Sequence, residues 1–397
     1  MATGARLAGA STDPGEGRPI RLLWLIDSLT MGGAESLVVP FARASRASGL
    51  DLTVCARTTI GGNPLEGELR DTGVAVENLE ARSLRDRAAF RRLMRLIRSR
   101  EIDVIHAHLA YSAIWGALAA RRGRVPLVAS LHVPPDPAPD LKERIRRMML
   151  VALLNRYAFR VVMVSAALAD AWRSATAIRP ERIAVIHNGV PVDRAGSPPD
   201  RGRTRMQLGL ADDAPVVMTV SVLREGKGID VLLHAAKTVL ASTPSCRFVI
   251  VGDGPMRESW EALARQVGIA HAVQWTGFRR DVAALLAAAD LFVLPTLADA
   301  FPTAVLEALA AGRAVVATGI GGVREMVDSE SGRLVPAGDP AALAATIRRS
   351  LDDSAWLERA GRAGRARVER EFSTEAWVAR LRATYRDAIS GSGRGSA

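Results

Sequence analysis

The chain has 397 residues, 48% of them hydrophobic and 24% charged, and carries 53 Lys+Arg against 42 Asp+Glu for a formal net charge of +11. It is too long for one small domain and too apolar for a disordered basic protein, so two or three domains are expected. Lysine occurs only at Lys142, Lys227 and Lys237; arginine supplies the rest of the positive charge.

Residues 1–19 are small and polar, lack the apolar stretch of a signal peptide, and read as a disordered tail. Short apolar runs then alternate with helical patterns. Arg21–Asp27, Leu52–Arg57, Val74–Leu79, Asp103–His108, Pro126–His132, Val161–Ser165 and Ile183–Asn188 read as buried strands, with stretches such as Glu35–Ser48 as the intervening helices. Alternation of this kind implies a parallel sheet covered on both faces, here a domain over residues 20–193. Between Val192 and Ala214 the composition dissolves into Asp, Arg, Gly and Pro, so 194–213 reads as a linker. The pattern restarts with Val216–Val222, Arg247–Asp253, Ala272–Gly277, Leu291–Thr296, Ala314–Thr318 and Arg333–Pro336, a second α/β domain over 214–372. A last helix over 373–390 has Ser373 as its N-cap and Trp377, Leu381 and Tyr385 on one stripe. Residues 391–397 read as a second disordered tail. The longest apolar runs, Met148–Leu154 and Val282–Ala289, are well short of the ~20 residues that span a bilayer. Only two cysteines, Cys55 and Cys246, far apart, point to a reducing, cytoplasmic compartment.

Two doubly wound domains leave a central cleft where the carboxyl ends of their strands face each other, and ligands bind beyond such ends. The turns after strands are therefore the places to search. Thr30–Glu35 (TMGGAE) follows the first strand, and Gly32 and Gly33 suit either a tight turn or backbone approach to an anion. His106 and His108 alternate onto one sheet face and read as hydrogen-bonded histidines rather than metal ligands, because no third ligand accompanies them. His132 ends the next strand before a Pro-rich loop, where a role in the cleft and a structural role are both open. In SVLREGKG, Arg224 and Lys227 occupy a glycine-containing turn and offer the cations a diphosphate leaving group needs, if they are not merely solvated. Gly252 and Gly254 belong to a turn whose glycines read first as architectural. In PTLADAFPTAVLEALAAG, Pro302 suits the first turn of a helix, Asp299 precedes it, and the amides of Phe301, Thr303 and Ala304 can receive an anion. Glu307 lies among apolar residues, either at the polar edge of an amphipathic helix or as a carboxylate whose partner is a ribose diol. The glycine-rich Thr318–Glu325 brings further amides and Glu325 to the same cleft.

With these residues in view, the sequence resembles the retaining glycosyltransferases of family 4, with GT-B fold. The resemblance spans Arg21 to about Ile389 and rests on GGAE at Gly32–Glu35, DVIHAH at Asp103–His108, HNGV at His187–Val190, KGID at Lys227–Asp230, GDGP at Gly252–Pro255, DAFPTAVLEALAAG at Asp299–Gly312 and GIGGVRE at Gly319–Glu325. It implies an α/β architecture of two Rossmann-like domains facing a central cleft, the first holding a glycan or lipid-linked acceptor and the second a nucleoside-diphosphate sugar. No metal or other cofactor is implied. By resemblance, Lys227 and a nearby arginine neutralise the diphosphate, Glu307 holds the ribose, the segment from Phe301 through Pro302 and Thr303 to Ala304 meets sugar and phosphate, Phe278 lies beside the base with Gly33, Gly252 and Gly254 lining the donor site, and His132 sits near the transferred sugar. The final helix is expected to cross back onto the first domain. Two positions depart from the family pattern: Asp299 stands where a glutamate is usual, and Val222 where many members carry the arginine that Arg224 would replace. The implied activity is sugar transfer in bacterial glycolipid or cell-surface polysaccharide synthesis; the competing class is a GT-B protein that binds sugar nucleotides but is catalytically impaired. Nucleic-acid binding lacks a recognition motif.

The charge is uneven: residues 1–195 hold 28 Lys+Arg and 19 Asp+Glu, a net of +9. Arg82–Arg100 and Lys142–Arg160 supply much of it as basic helices, read either as ordinary solvated surfaces or as a shallow attachment to anionic lipid on the acceptor side.

Overall fold

The computed structural model describes residues 18–137, 139–192 and 200–392. The tails expected over 1–19 and 391–397 fall outside these, apart from 18–19 and 391–392. Seven parallel strands form the first sheet: β1 (Ile20–Ile26), β2 (Leu50–Ala56), β3 (Ala75–Asn78), β4 (Val104–His108), β5 (Leu127–Leu131), β6 (Ala158–Met163) and β7 (Ile183–Val185), in the order β3-β2-β1-β4-β5-β6-β7. Six form the second: β8 (Val216–Val220), β9 (Arg247–Val251), β10 (Val273–Gly277), β11 (Leu291–Leu294), β12 (Ala314–Thr318) and β13 (Gly332–Val335), in the order β10-β9-β8-β11-β12-β13. Both are doubly wound. Their central strands are apolar without interruption, as LLWLI in β1 and AVVAT in β12, because helices cover both faces.

Strand order reverses between β1 and β4 in the first sheet and between β8 and β11 in the second. Crevices for ligands open at such switch points, beyond the carboxyl ends.

The stretch expected as a linker is more ordered than its composition suggests. Within 194–213 lies a helix, Arg201–Gln207, capped by the Asp200 side chain on the Arg203 amide. Its Arg205 is 1% exposed. The guanidinium donates to the carbonyls of Ala288, Ala211, Asp212 and Ala214 and to Asp290 Oδ2 at 2.7 Å, tying the helix to the second domain. The helix read as Glu35–Ser48 begins later, at Val38, since residues 34–37 form turns.

The last helix, Thr374–Gly391, is capped by Ser373, whose hydroxyl accepts from the Ala376 amide. Trp377, Leu381 and Tyr385 are buried against Leu22, Trp24, Phe41 and Val128 of the first domain. The chain crosses over at HNGV: Val190 N donates to Phe372 O at 2.9 Å and Thr374 N to Val190 O at 3.0 Å. A methyl group at Gly189 would sit 2.6 Å from Ser373 O, so only glycine permits this approach.

Of the two basic helices, Arg87–Ser99 buries its apolar face, Leu93, Met94 and Ile97, in the core and leaves a surface of arginines. That removes the apolar half of the attachment expected for it. Arg85, Arg91, Arg95, Arg98, Arg121 and Arg122 line an open groove of about 1240 Å³ between it and the helix Ala110–Gly123.

Candidate active site

The turn after β8 and the loop after β11 meet at the switch point of the second sheet. Leu297 N donates to Gly226 O at 2.8 Å, and Thr296 Oγ1 to the same carbonyl at 3.2 Å. Gly228 has φ +66°, and a side chain there would collide with the Pro295 carbonyl. This clasp sets Lys227 Nζ 2.5 Å from Asp299 Oδ2. The two residues are 72 positions apart in sequence and both are largely buried. Arg224, in the same turn, is exposed, and its side chain engages none of the described residues; it is not brought to the pair.

Asp299 Oδ1 also accepts from Phe301 N at 3.3 Å, which uses that amide. The Phe301 ring is buried and stacked on His187, centroids 5.1 Å apart at 12°. Phe301 and Pro302, which has no N–H, therefore shape the loop and offer no donor of their own. The helix starts at Thr303, with Pro302 as its N-cap rather than inside its first turn. Its first-turn amides, Thr303 and Ala304, remain without a partner among the described residues and point along the positive end of the helix dipole. One turn further, burial raises the carboxyl pKa of Glu307 above its ordinary value, opposed by a hydrogen bond from the Thr303 hydroxyl.

Gly252 N donates to Gly277 O at 2.9 Å and Gly254 N to Asp253 Oδ1 at 2.8 Å. Both amides are thus engaged, and the two glycines serve the close packing of this turn against the backbone of Ser221 and Leu223. Beside them, after β10, the Phe278 ring is 52% exposed, an aromatic face available for stacking. 

Across the cleft, His132 lies just past β5, and its Nε2 is 3.1 Å from His108 Nδ1. Burial lowers the His132 pKa to about 4 and that of His108 well below the ordinary histidine value. His106 bonds to Tyr385 Oη at 2.6 Å and Ser130 Oγ at 2.8 Å, linking the last helix to the sheet. Gly33 is exposed in the turn after β1, and a methyl group added there would meet none of the described residues within 4 Å.

Glu325 does not face the Lys227–Asp299 pair. Its carboxylate accepts from the amides of Ala166 and Ala167, at 2.9 and 3.1 Å, at the start of the first-domain helix Ala166–Ala175, and lies 2.8 Å from His187 Nε2. Ser165 Oγ donates to Ala300 O at 2.9 Å, so the 299–304 loop is held from the first domain as well. Nothing in the local sequence around Ser165 announces this cross-domain contact. The serine reads only as an ordinary N-cap.

Residues 31–194 match the family described as Glycosyltransferase Family 4, and residues 214–353 match Glycosyl transferases group 1. The chain belongs to the family 4, group 1 glycosyltransferases. The D-inositol 3-phosphate glycosyltransferase 1 of Catenulispora acidiphila is 33% identical to it over 390 residues, covering 92% of both chains. Among solved structures, HepE of Anabaena in complex with UDP superposes with a TM-score of 0.81 at 26% identity, over 93% of this glycosyltransferase and 100% of HepE. The sucrose-phosphate synthase of Thermosynechococcus elongatus, at 23% identity over 94% of this chain and 100% of the synthase, shares the GT-B fold with a TM-score of 0.78. The two sheets and their facing switch points are thus those of a GT-B glycosyltransferase.

Proposed function

We propose that this glycosyltransferase moves a sugar from a nucleoside diphosphate to an acceptor hydroxyl with retention of anomeric configuration. The Lys227–Asp299 pair beside the open amides of Thr303 and Ala304 carries the reading. An ammonium has three N–H donors; Asp299 takes one and fixes its position, leaving two for the diphosphate. Glu307 would hold the ribose hydroxyls and Phe278 would stack on the base. HepE has been crystallised with UDP and with UDP-glucose, so uridine donors are the first to test.

The acceptor oxygen attacks the anomeric carbon on the face from which the diphosphate departs. As the new C–O bond forms, the bond to phosphate breaks, and the acceptor's proton passes to the leaving phosphate oxygen. Lys227 and the helix amides stabilise the charge that develops there, so no divalent metal is needed. Incubation with UDP, GDP and ADP sugars should raise the melting temperature with one of them and release its nucleoside diphosphate, at a rate unchanged by EDTA. Binding without release would support the impaired-protein alternative, and a rate abolished by EDTA and restored by Mg²⁺ would overturn metal independence.

For the acceptor, Arg57 and Arg146 flank the Tyr111 ring at 5.1 and 4.6 Å beyond the carboxyl ends of the first sheet. Each guanidinium has a carboxylate neighbour, Asp27 at 3.5 Å from Arg57 Nε and Glu143 beside Arg146, and the N–H groups these leave over suit an anionic acceptor, in line with the phosphorylated polyol in the relatives' name. A glycolipid or cell-surface polysaccharide precursor with a phosphate group fits the same chemistry.

A membrane-borne acceptor is supported by the helix Leu141–Tyr157, which follows the loop after His132. One face, Leu150, Val151 and Leu154, is buried, while Leu141, Ile145 and Met148 are 73%, 56% and 61% exposed at spacings of four and three. Lys142 and Arg144 lie exposed among them, the composition of a helix that settles into an anionic interface. No helix among the described residues is long and apolar enough to cross a membrane. The protein should co-sediment with vesicles containing anionic lipid and not with neutral ones, and Ile145→Glu should abolish that binding. Equal binding to both vesicle types would count against the attachment.

A further inference from the structure

The buried histidines of the first domain fix which ring nitrogen of His132 carries its proton. His108 lies wholly inside, stacked on Trp24 at 3.7 Å and 14°, with Nδ1 3.1 Å from His132 Nε2. Its other nitrogen, Nε2, is buried and has no partner among the described residues. Both rings are neutral near pH 7, because burial disfavours the charged form of each. Two neutral imidazoles share one hydrogen bond, so one must donate and the other accept.

The two arrangements differ in what they leave inside. If His132 Nε2–H donated to His108 Nδ1, the His108 proton would reside on Nε2, an orphaned N–H buried inside the domain. Orphaned buried N–H groups are what folded chains most avoid. If His108 Nδ1–H donates instead, the buried Nε2 holds only a lone pair. His132 then accepts at Nε2 and keeps its own proton on Nδ1, which no described residue engages.

We infer that His108 is a positioning residue that sets His132 in its Nδ1–H form, so that His132 offers the cleft a hydrogen-bond donor rather than a base. This rests on the transferase reading above for its ligand, an oxygen of the transferred sugar. The consequence for the reaction is specific. A ring that presents N–H cannot take the acceptor's proton, which leaves that role to the departing phosphate.

Two-bond ¹H–¹⁵N spectra of the ¹⁵N-histidine-labelled wild-type protein test the inference directly, with His132→Ala and His108→Asn assigning the signals. The expected pattern is Nδ1–H for both His108 and His132; Nε2–H on His132 overturns the proposal whatever the enzyme's activity. His108→Asn places an amide N–H where Nδ1–H was and should keep both the His132 pattern and most of kcat. His108→Phe keeps the stack on Trp24 but removes the donor. It should shift His132 toward the Nε2–H form and lower kcat about ten-fold, the equivalent of one hydrogen bond, with donor KM little changed. Equal kcat for the Asn and Phe variants overturns the positioning role. Failure of all sugar donors to turn over, with the tautomer as expected, would instead overturn the transferase reading alone.

Discussion

Lys227→Ala should lower kcat/KM for the sugar donor by ~10² to 10³, the loss that follows removal of one group stabilising transition-state charge. The effect belongs chiefly to kcat, because charge on the diphosphate grows as the anomeric bond breaks. Lys227→Arg is the informative companion. Arginine keeps the charge but spreads it over a planar fork, and the clasp between Gly226–Gly228 and Pro295–Leu297 leaves a compact ammonium in line with Asp299. The arginine variant should recover less than about a tenth of the activity. Steady-state release of nucleoside diphosphate measures both, and an alanine variant within about three-fold of wild type would remove Lys227 from the reaction.

Arg205→Ala should cost about 3 to 5 kcal/mol of stability, as breaking a buried ion pair does. The substitution leaves the carbonyls of Asp212 and Ala214 without the donor they have among the described residues, those of Ala211 and Ala288 with only a longer bond each, and Asp290 without its innermost partner. Asp290 retains Arg201 at 2.5 Å and the Val216 amide at 2.8 Å, so its carboxylate stays in place beside a new void. The second domain should unfold at a clearly lower urea concentration than the first. A loss under about 1 kcal/mol would show that the segment before β8 adds little to that domain. Arg205→Lys should fall between, since three donors cannot serve five acceptors.

The strands were legible because a doubly wound sheet buries both faces of its central strands, so each appears as an apolar run whatever its neighbours. The last helix was legible for a similar reason: its cap and its stripe are local. The helix Arg201–Gln207 was not. Its segment is rich in turn formers, and what holds it is Arg205 reaching residues 83 and 85 positions away. The same distinction divides the site. Lys227 stood out as a rare lysine and Asp299 as a departure from the family pattern, yet nothing in either segment says that the two touch. Gly252 and Gly254 advertised an approach of backbone that could serve a ligand or the fold. The partners of their amides, visible only in the folded chain, show what the fold takes from them. Glu325 was visible as a carboxylate in a glycine-rich turn, but its destination, a helix start in the other domain, depends on how the two sheets face each other.

The path of the final helix bears on how the protein is made. Trp24, Phe41 and His106 belong to the first hundred or so residues, but Trp377 and Tyr385, which cover them, come within the last twenty-five. An N-terminal sheet therefore leaves the ribosome with part of its apolar face bare, and that face stays bare until the helix Thr374–Gly391 follows. The second domain can close on itself before the first does. A chain cut short before residue 374 would carry an intact second domain beside a first domain with an open core.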